Sequence, residues 1–287
     1  MKTYTREPLK LMYITNNENV AEIAQAAGVD RIFIDMEYIG KEERQAGLDT
    51  VKSRHTIEDV KRIRRILTKA ELLVRINPLH KASALYGSTE EEIEQVIEAG
   101  ADILMLPMFK TAEDVVEFLN MVDGRARTVL LLENNIAVDN LDQILEVKGV
   151  EEIHIGLNDL HLSYGMKFMF EPLANGMVEQ LGKKIQSHGI MYGFGGIARI
   201  GYGELPAEYI IAEHYALNSQ MAILSRGFCD AANISDLEVL KKRFEEGIDG
   251  IRKFESKAAL YSEEEYKENH RIVCQKVKEI VDRRKHK

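Results

Sequence analysis

Leu72-Leu73-Val74-Arg75-Ile76 is followed, after Asn77-Pro78 and a polar stretch, by Ser88-Thr89-Glu90-Glu91-Glu92-Ile93-Glu94-Gln95-Val96-Ile97-Glu98, and then by Ala99-Gly100-Ala101-Asp102-Ile103-Leu104-Met105-Leu106-Pro107. The first run is almost wholly apolar and does not alternate, which marks a parallel strand covered on both faces. In the second, Ile93, Val96 and Ile97 recur at helical spacing. Ser88 with Glu91 and Thr89 with Glu92 both fit the S/T-x-x-E capping box, and Gly100 stops the helix. The third run is again a strand. Strand, helix and strand in this order predict one parallel crossover unit.

The same alternation extends in both directions. Strand-like runs occur at Leu9–Thr15, Arg31–Met36, Thr128–Leu132, Glu152–Leu157, Met191–Gly195 and Met221–Ser225, with the two above at Leu72–Ile76 and Asp102–Pro107. Helical periodicity fills Ala21–Ala27, Thr56–Leu67, Glu91–Glu98, Ala112–Met121 and Val178–His188, and Gly28, Gly149 and Gly189 stand where a helix hands over to a strand. Eight such units in about 250 residues predict an α/β fold, a TIM (β/α)8 barrel with a C-terminal helical extension. An open doubly wound sheet would need a Gly-rich turn after its first strand, and Asn16-Asn17-Glu18-Asn19 is not one. We divide the chain into a catalytic barrel over residues 1–255 and a charged helical tail over 256–287, ending Arg283-Arg284-Lys285-His286-Lys287. That tail reads as an oligomer contact or a solvated helix ahead of a nucleic-acid arm.

Composition narrows the function. Of 287 residues, 45% are hydrophobic and 30% charged, enough apolar material for a core and unlike a disordered chain. The 38 basic and 47 acidic residues leave a net charge of −9, which repels phosphate backbones, so no nucleic-acid partner is expected. No run approaches the ~18 apolar residues of a membrane span, and Met1 to Lys10 lacks the apolar core of a signal peptide. Cys229 and Cys274 cannot build a disulfide framework or a four-ligand zinc site. The expected setting is cytoplasmic.

A barrel carries its chemistry at the carboxyl ends of its strands. Those ends hold Asp35 and Glu37, Arg75 and Asn77, Glu133 and Asn134, Asn158 and Asp159, then Gly195 and Gly196, and Ser225 and Arg226. Glu133 and Asp159 follow adjacent strands and suit a hard divalent ion, Mg²⁺ or Mn²⁺; equally, each is a helix cap or surface group. Arg75 is placed either to grip a substrate carboxylate or to pair with Asp35 or Glu37. His154 reads as a core histidine and His161 as a rim residue, whereas His188 and His214 fall on helices as surface groups.

Ile34-Asp35-Met36-Glu37, Val74-Arg75-Ile76, Glu98-Ala99-Gly100-Ala101, Leu106-Pro107-Met108, Leu132-Glu133, Ala137-Val138-Asp139-Asn140 and Ile155-Gly156-Leu157-Asn158-Asp159-Leu160 occur in that order. Together they resemble the HpcH/HpaI aldolase and citrate lyase family of the phosphoenolpyruvate/pyruvate barrels, from about Leu9 to Arg226. The resemblance implies a metal-dependent carbon–carbon lyase that joins or splits a 2-keto acid such as pyruvate and an aldehyde. It implies Glu133 and Asp159 as metal ligands, Arg75 at the keto or enolate oxygen, and backbone amides at Gly156, Asn158 and Asp159 on the carboxylate. Glu98 takes the place of an acid that reaches the site from a neighbouring subunit, and the family is commonly a homo-oligomer, often a hexamer.

This chain departs from the pattern at several points. Tyr38 stands where many aldolases of the family carry the His that moves the proton, so Tyr38 or a metal-bound water inherits that role. Position 98 is Glu rather than Asp, Leu131 replaces a polar residue, and the long loop between the fourth and fifth strands is short. Asp35-Met36-Glu37 followed by a charged run leans toward the citrate lyase β-chain, so cleavage of acyl-CoA thioesters is the alternative. A non-catalytic barrel that binds a keto acid is a third.

Overall fold

The computed structural model describes residues 7–40 and 54–285. The polar start, most of the charged run after Glu37, and His286 and Lys287 of the basic end lie outside the described residues. The strands are β1 (Lys10–Ile14), β2 (Arg31–Asp35), β3 (Glu71–Arg75), β4 (Ile103–Leu106), β5 (Arg127–Leu132), β6 (Glu152–Ile155), β7 (Met191–Ile197) and β8 (Met221–Leu224). They are hydrogen-bonded in chain order into a closed barrel. Each of the eight expected runs overlaps one of these strands; β3 and β5 start one residue before their runs, and β7 ends two residues after its run.

The helices among the described residues are α1 (Glu18–Ala27), α2 (Ile57–Ile66), α3 (Thr89–Glu98), α4 (Ala112–Val122), α5 (Asn135–Asp139), α6 (Leu141–Leu145), α7 (Leu157–Ser163), α8 (Glu171–Ala174), α9 (Met177–Ser187), α10 (Ala207–Ala216), α11 (Leu237–Ala258) and α12 (Glu263–Lys285). Complete capping boxes open α2 at Thr56, α3 at Ser88 and α4 at Thr111, satisfying backbone N–H groups that have no partner inside the helix. Only one of the two boxes expected for α3 forms. Thr89 instead bonds the N–H of His80, and Glu92 turns toward Asn77.

The chain divides into two compact units. In the unit Tyr13–His154, β2 and β3 pair in parallel from Arg31 opposite Glu71 to Asp35 opposite Arg75. The amino ends of its strands carry an ion cluster. Arg31 is fully buried and grips both carboxylate oxygens of Glu152 at 2.6 and 2.7 Å and Glu71 at 3.1 Å; Arg127 also bonds Glu71. The side chains of Leu72, Leu73 and Val74 are buried, as a strand covered on both sides requires.

The other unit comprises Met1–Met12 and Ile155–Lys287. Buried Glu255 of α11 accepts the N–H of Leu9 at 2.7 Å, and Arg252 donates to the Leu9 carbonyl at 2.8 Å, so α11 anchors the start of β1. Along α12, Val273, Val277, Ile280 and Val281 are buried, and Asn269 donates to Glu213 of α10 at 2.8 Å. His214 is not a surface group. It is fully buried, stacked on Phe194 at 3.8 Å with its Nδ1 2.8 Å from the Ser219 hydroxyl; helix α10 is apolar enough to be covered nearly all round. His188 is exposed and His154 lies in the core, as expected.

Candidate active site

Arg75 ends β3 after three buried apolar residues, so its stem starts inside the wall and its guanidinium emerges at the carboxyl end. It donates from Nε and Nη2 to the two oxygens of Asp35, each at 2.8 Å, and its Nη1 lies 3.3 Å from Glu37. Burial works against the charge, but Asp35, Glu37 and then Glu133 outweigh it and hold the guanidinium more firmly protonated than usual. The Phe33 ring lies 5.6 Å from the guanidinium carbon. Asp35 is fixed in turn: its Oδ1 accepts the N–H of Glu37 at 3.2 Å. The N–H of Asp35 donates to Nδ1 of His55 at 3.0 Å, so that nitrogen carries no proton.

Glu133 follows β5 and is 2% exposed. Its Oε1 accepts the N–H of Met108 at 3.1 Å. Met108 sits at φ +55°, a left-handed conformation that a side-chain-bearing residue seldom adopts, and the loop after β4 uses it to aim this amide at the carboxylate. Asn134 caps α5 through the Ala137 N–H and donates to the Phe109 carbonyl at 2.8 Å, tying the same two loops together.

Asn77 organises the loop after β2. Its Oδ1 accepts the N–H groups of Tyr38 and Ile39 at 2.9 and 3.0 Å, and its Nδ2 donates to Glu92 at 2.9 Å. Burial raises the Glu92 carboxyl above its ordinary range, with the Asn77 bonds pulling the other way. Tyr38 is half exposed, edge-on to Tyr86 at 6.3 Å. Burial, then Glu92 and Tyr86, push its phenol up from the ordinary value, so it carries its proton at neutral pH. Tyr38 is therefore a proton donor in its resting state.

In the other unit, Gly156 is the cap of α7, and Asn158 and Asp159 lie in its first turn. His161 of that helix is buried and donates from Nδ1 to the Leu157 carbonyl at 3.1 Å; burial pushes its pKa down. Gly195, at φ +55°, faces Leu157 so closely that a Cβ would stand 2.9 Å from the leucine Cδ1.

The structure thus gathers Arg75, Asp35, Glu37, Glu133 and the Tyr38 loop in one unit. Glu98 belongs to the same unit but makes no hydrogen bond or ion pair with these residues. It is the exposed last residue of α3, at the opposite end of that helix from Glu92. Among the described residues no three His, Cys, Asp or Glu side chains form a group able to hold a metal ion. Glu133 nevertheless fits one, because it offers a buried, pre-oriented oxygen donor of the hard kind that Mg²⁺ and Mn²⁺ prefer. Sequence reasoning missed Glu92, Met108 and the Arg31 cluster; the S/T-x-x-E pattern even assigned Glu92 another task.

A closed (β/α)8 barrel with an arginine–carboxylate cluster at its strand ends defines a class of enzyme scaffold, and comparison with known proteins narrows it. Residues 10–171, more than half of the chain, match the HpcH/HpaI aldolase/citrate lyase family. The chain belongs to that family. The 2-keto-3-deoxy-L-rhamnonate aldolase of Salmonella paratyphi B is 26% identical over 176 residues, 51% of this chain and 58% of that enzyme. The chain therefore matches little more than half the length of this curated relative. Among solved structures, an HpcH/HpaI aldolase/citrate lyase family protein from Burkholderia cenocepacia J2315 superposes with a TM-score of 0.59 at 15% identity, covering 82% of this chain and 94% of that one. The citrate synthase SbnG gives a TM-score of 0.57 at 17% identity, covering 83% and 94%. At such identities these two likenesses concern the fold.

Proposed function

We propose that this chain is a carbon–carbon lyase of the aldolase type that acts through the enolate of a 2-keto acid such as pyruvate, with an aldehyde as the second partner. The observation that carries the reading is the Arg75 guanidinium, buried and held by Asp35 and Glu37 in the field of Glu133. A fixed positive charge at a strand end favours a transition state in which negative charge grows on a substrate oxygen. Two of its five N–H groups are committed to Asp35, which fixes the plane of the fork and leaves further donors for the substrate.

Glu133, with Asp159 as the second ligand that the Gly156–Leu160 motif implies, would hold Mg²⁺ or Mn²⁺. When bound, such an ion supplies Lewis-acid polarisation of the keto group. The amides at Gly156, Asn158 and Asp159 take the substrate carboxylate. Tyr38, protonated at neutral pH, returns a proton to the enolate carbon or to the nascent alkoxide as the carbon–carbon bond forms or breaks. Glu98, remote from this cluster within the chain, serves a neighbouring copy in a homo-oligomer.

The test is proton NMR of pyruvate in deuterated buffer with each metal. Loss of the methyl signal that requires Mg²⁺ or Mn²⁺ and disappears in Glu133→Ala supports the reading. No exchange with either metal, or undiminished exchange in Glu133→Ala at saturating metal, overturns it.

A further inference from the structure

Arg199 lies just beyond β7, where the loops after β7 and β8 are stitched together. The Ser225 N–H donates to the Ile197 carbonyl at 2.9 Å, and the Arg199 N–H points to the Gly227 carbonyl at 3.4 Å. The arginine stem rests on Gly247 of α11. A Cβ at Gly247 would stand 3.5 Å from Arg199 Cγ and 2.7 Å from the Phe228 ring, so the helix approaches this closely only because the residue is glycine. The guanidinium carbon lies 4.0 Å from the centre of the Tyr202 ring, which holds the planar group from one face.

Among the described residues this guanidinium has no counter-ion. Arg31, Arg75 and Arg252 each meet a carboxylate, at 2.6, 2.8 and 2.7 Å. Arg199 meets none among the described residues, and its Nε is buried with no hydrogen-bond partner. Nearby acids are engaged elsewhere: Glu208 accepts the Gly201 N–H at 3.0 Å, and Glu204 pairs with Arg284 at 2.5 Å. A buried donor without an acceptor is costly, and a pre-oriented guanidinium fork matches the oxygens of a phosphate or carboxylate. Loops after the seventh and eighth strands are also where (β/α)8 proteins frequently hold a phosphate.

We propose that Arg199, stacked on Tyr202 at the carboxyl ends of β7 and β8, is an oxyanion-binding site that takes a phosphate or carboxylate group. The site does not depend on the aldolase reading; assigning its anion to the tail of an aldehyde substrate does.

Two measurements on the full chain separate these statements. Calorimetric titration with inorganic phosphate and with succinate decides whether the site exists, in wild type, Arg199→Met and Tyr202→Leu, with far-UV circular dichroism confirming each fold. Binding of either anion by wild type, weakened at least tenfold in Arg199→Met and less in Tyr202→Leu, supports the site. Absence of binding in wild type, or equal binding in Arg199→Met, overturns it. Steady-state kinetics with pyruvate and either glyceraldehyde or glyceraldehyde 3-phosphate then identify the source. A KM raised at least tenfold in Arg199→Met for the phosphorylated aldehyde alone makes the anion a substrate tail. Arg199-dependent binding with both KM values unchanged supports the site with a separate anion. If wild type turns over neither aldehyde, the aldolase reading fails while calorimetry still decides the site.

Discussion

Asp35 and Arg75 are register partners at the carboxyl ends of β2 and β3, and their side chains close a two-bond fork of 2.8 Å each. Because the pair is built into the strand register, the guanidinium has one orientation rather than a family of rotamers. Asp35→Asn keeps the shape and removes the charge. Its expected effect is a loss of about 3 kcal/mol of stability, as for breaking a buried pair, read by urea denaturation. The rate of pyruvate methyl exchange is expected to fall by about 10²-fold, as misplacement of a catalytic group does.

Glu92 is a carboxyl group whose folded pKa lies above its unfolded one. The native state then binds more protons than the unfolded state between the two values, so this group's contribution to stability declines as pH rises out of the ordinary glutamate range. Glu92→Gln keeps an acceptor for Asn77 and removes the titration. The variant is expected to gain on wild type steadily between pH 4 and pH 7 in chemical denaturation, while pyruvate exchange through the Tyr38 loop persists.

The Arg31–Glu152 pair is buried at the amino ends of the strands, remote from the carboxyl ends that carry the chemistry. Glu152→Gln removes the charge of the carboxylate that Arg31 grips with two bonds and should cost about 3–5 kcal/mol. The double change Arg31→Met, Glu152→Leu should recover most of that loss, since an apolar pair avoids desolvating two charges. Methyl exchange at saturating metal is expected to survive in the double variant.

His270 of α12 bonds Glu213 at 3.0 Å, which raises its pKa above the ordinary histidine value; burial opposes this, and Glu179 adds to the rise. Cys274 also faces it, its Sγ 3.5 Å from Nε2. A raised folded pKa means that the stabilisation is complete below the unfolded value of about 6.5 and is lost as pH climbs through the folded value. With the imidazole 40% exposed, the gain is below about 1 kcal/mol. Melting curves from pH 5.5 to 8.5 should show a decline that Glu213→Gln flattens.

The barrel was legible in the sequence because burial on both faces writes itself locally: each strand is a short continuous apolar run, and each capping box spans only four residues. The residues that follow the strands were legible for the same reason, so Asp35, Glu37, Arg75 and Glu133 could be named from position alone. Their pairing could not. Both partners of Arg75 were candidates before the structure, and the choice depends on a contact between residues 40 apart in sequence. Arg31 finds Glu152 across 121 residues, with no local signal on either side. Glu92 satisfied a helix-cap pattern yet turned to Asn77, and His214 sat on a helix that packing covers on nearly every side. Periodicity records how much of a residue is buried, whereas the partner of a buried charge depends on which elements packing brings beside it. The sequence alone therefore determined the strands, the caps and the shortlist of chemical groups. Only the tertiary structure decided which of those groups face one another, and it alone brought forward Arg199, which meets no carboxylate among the described residues.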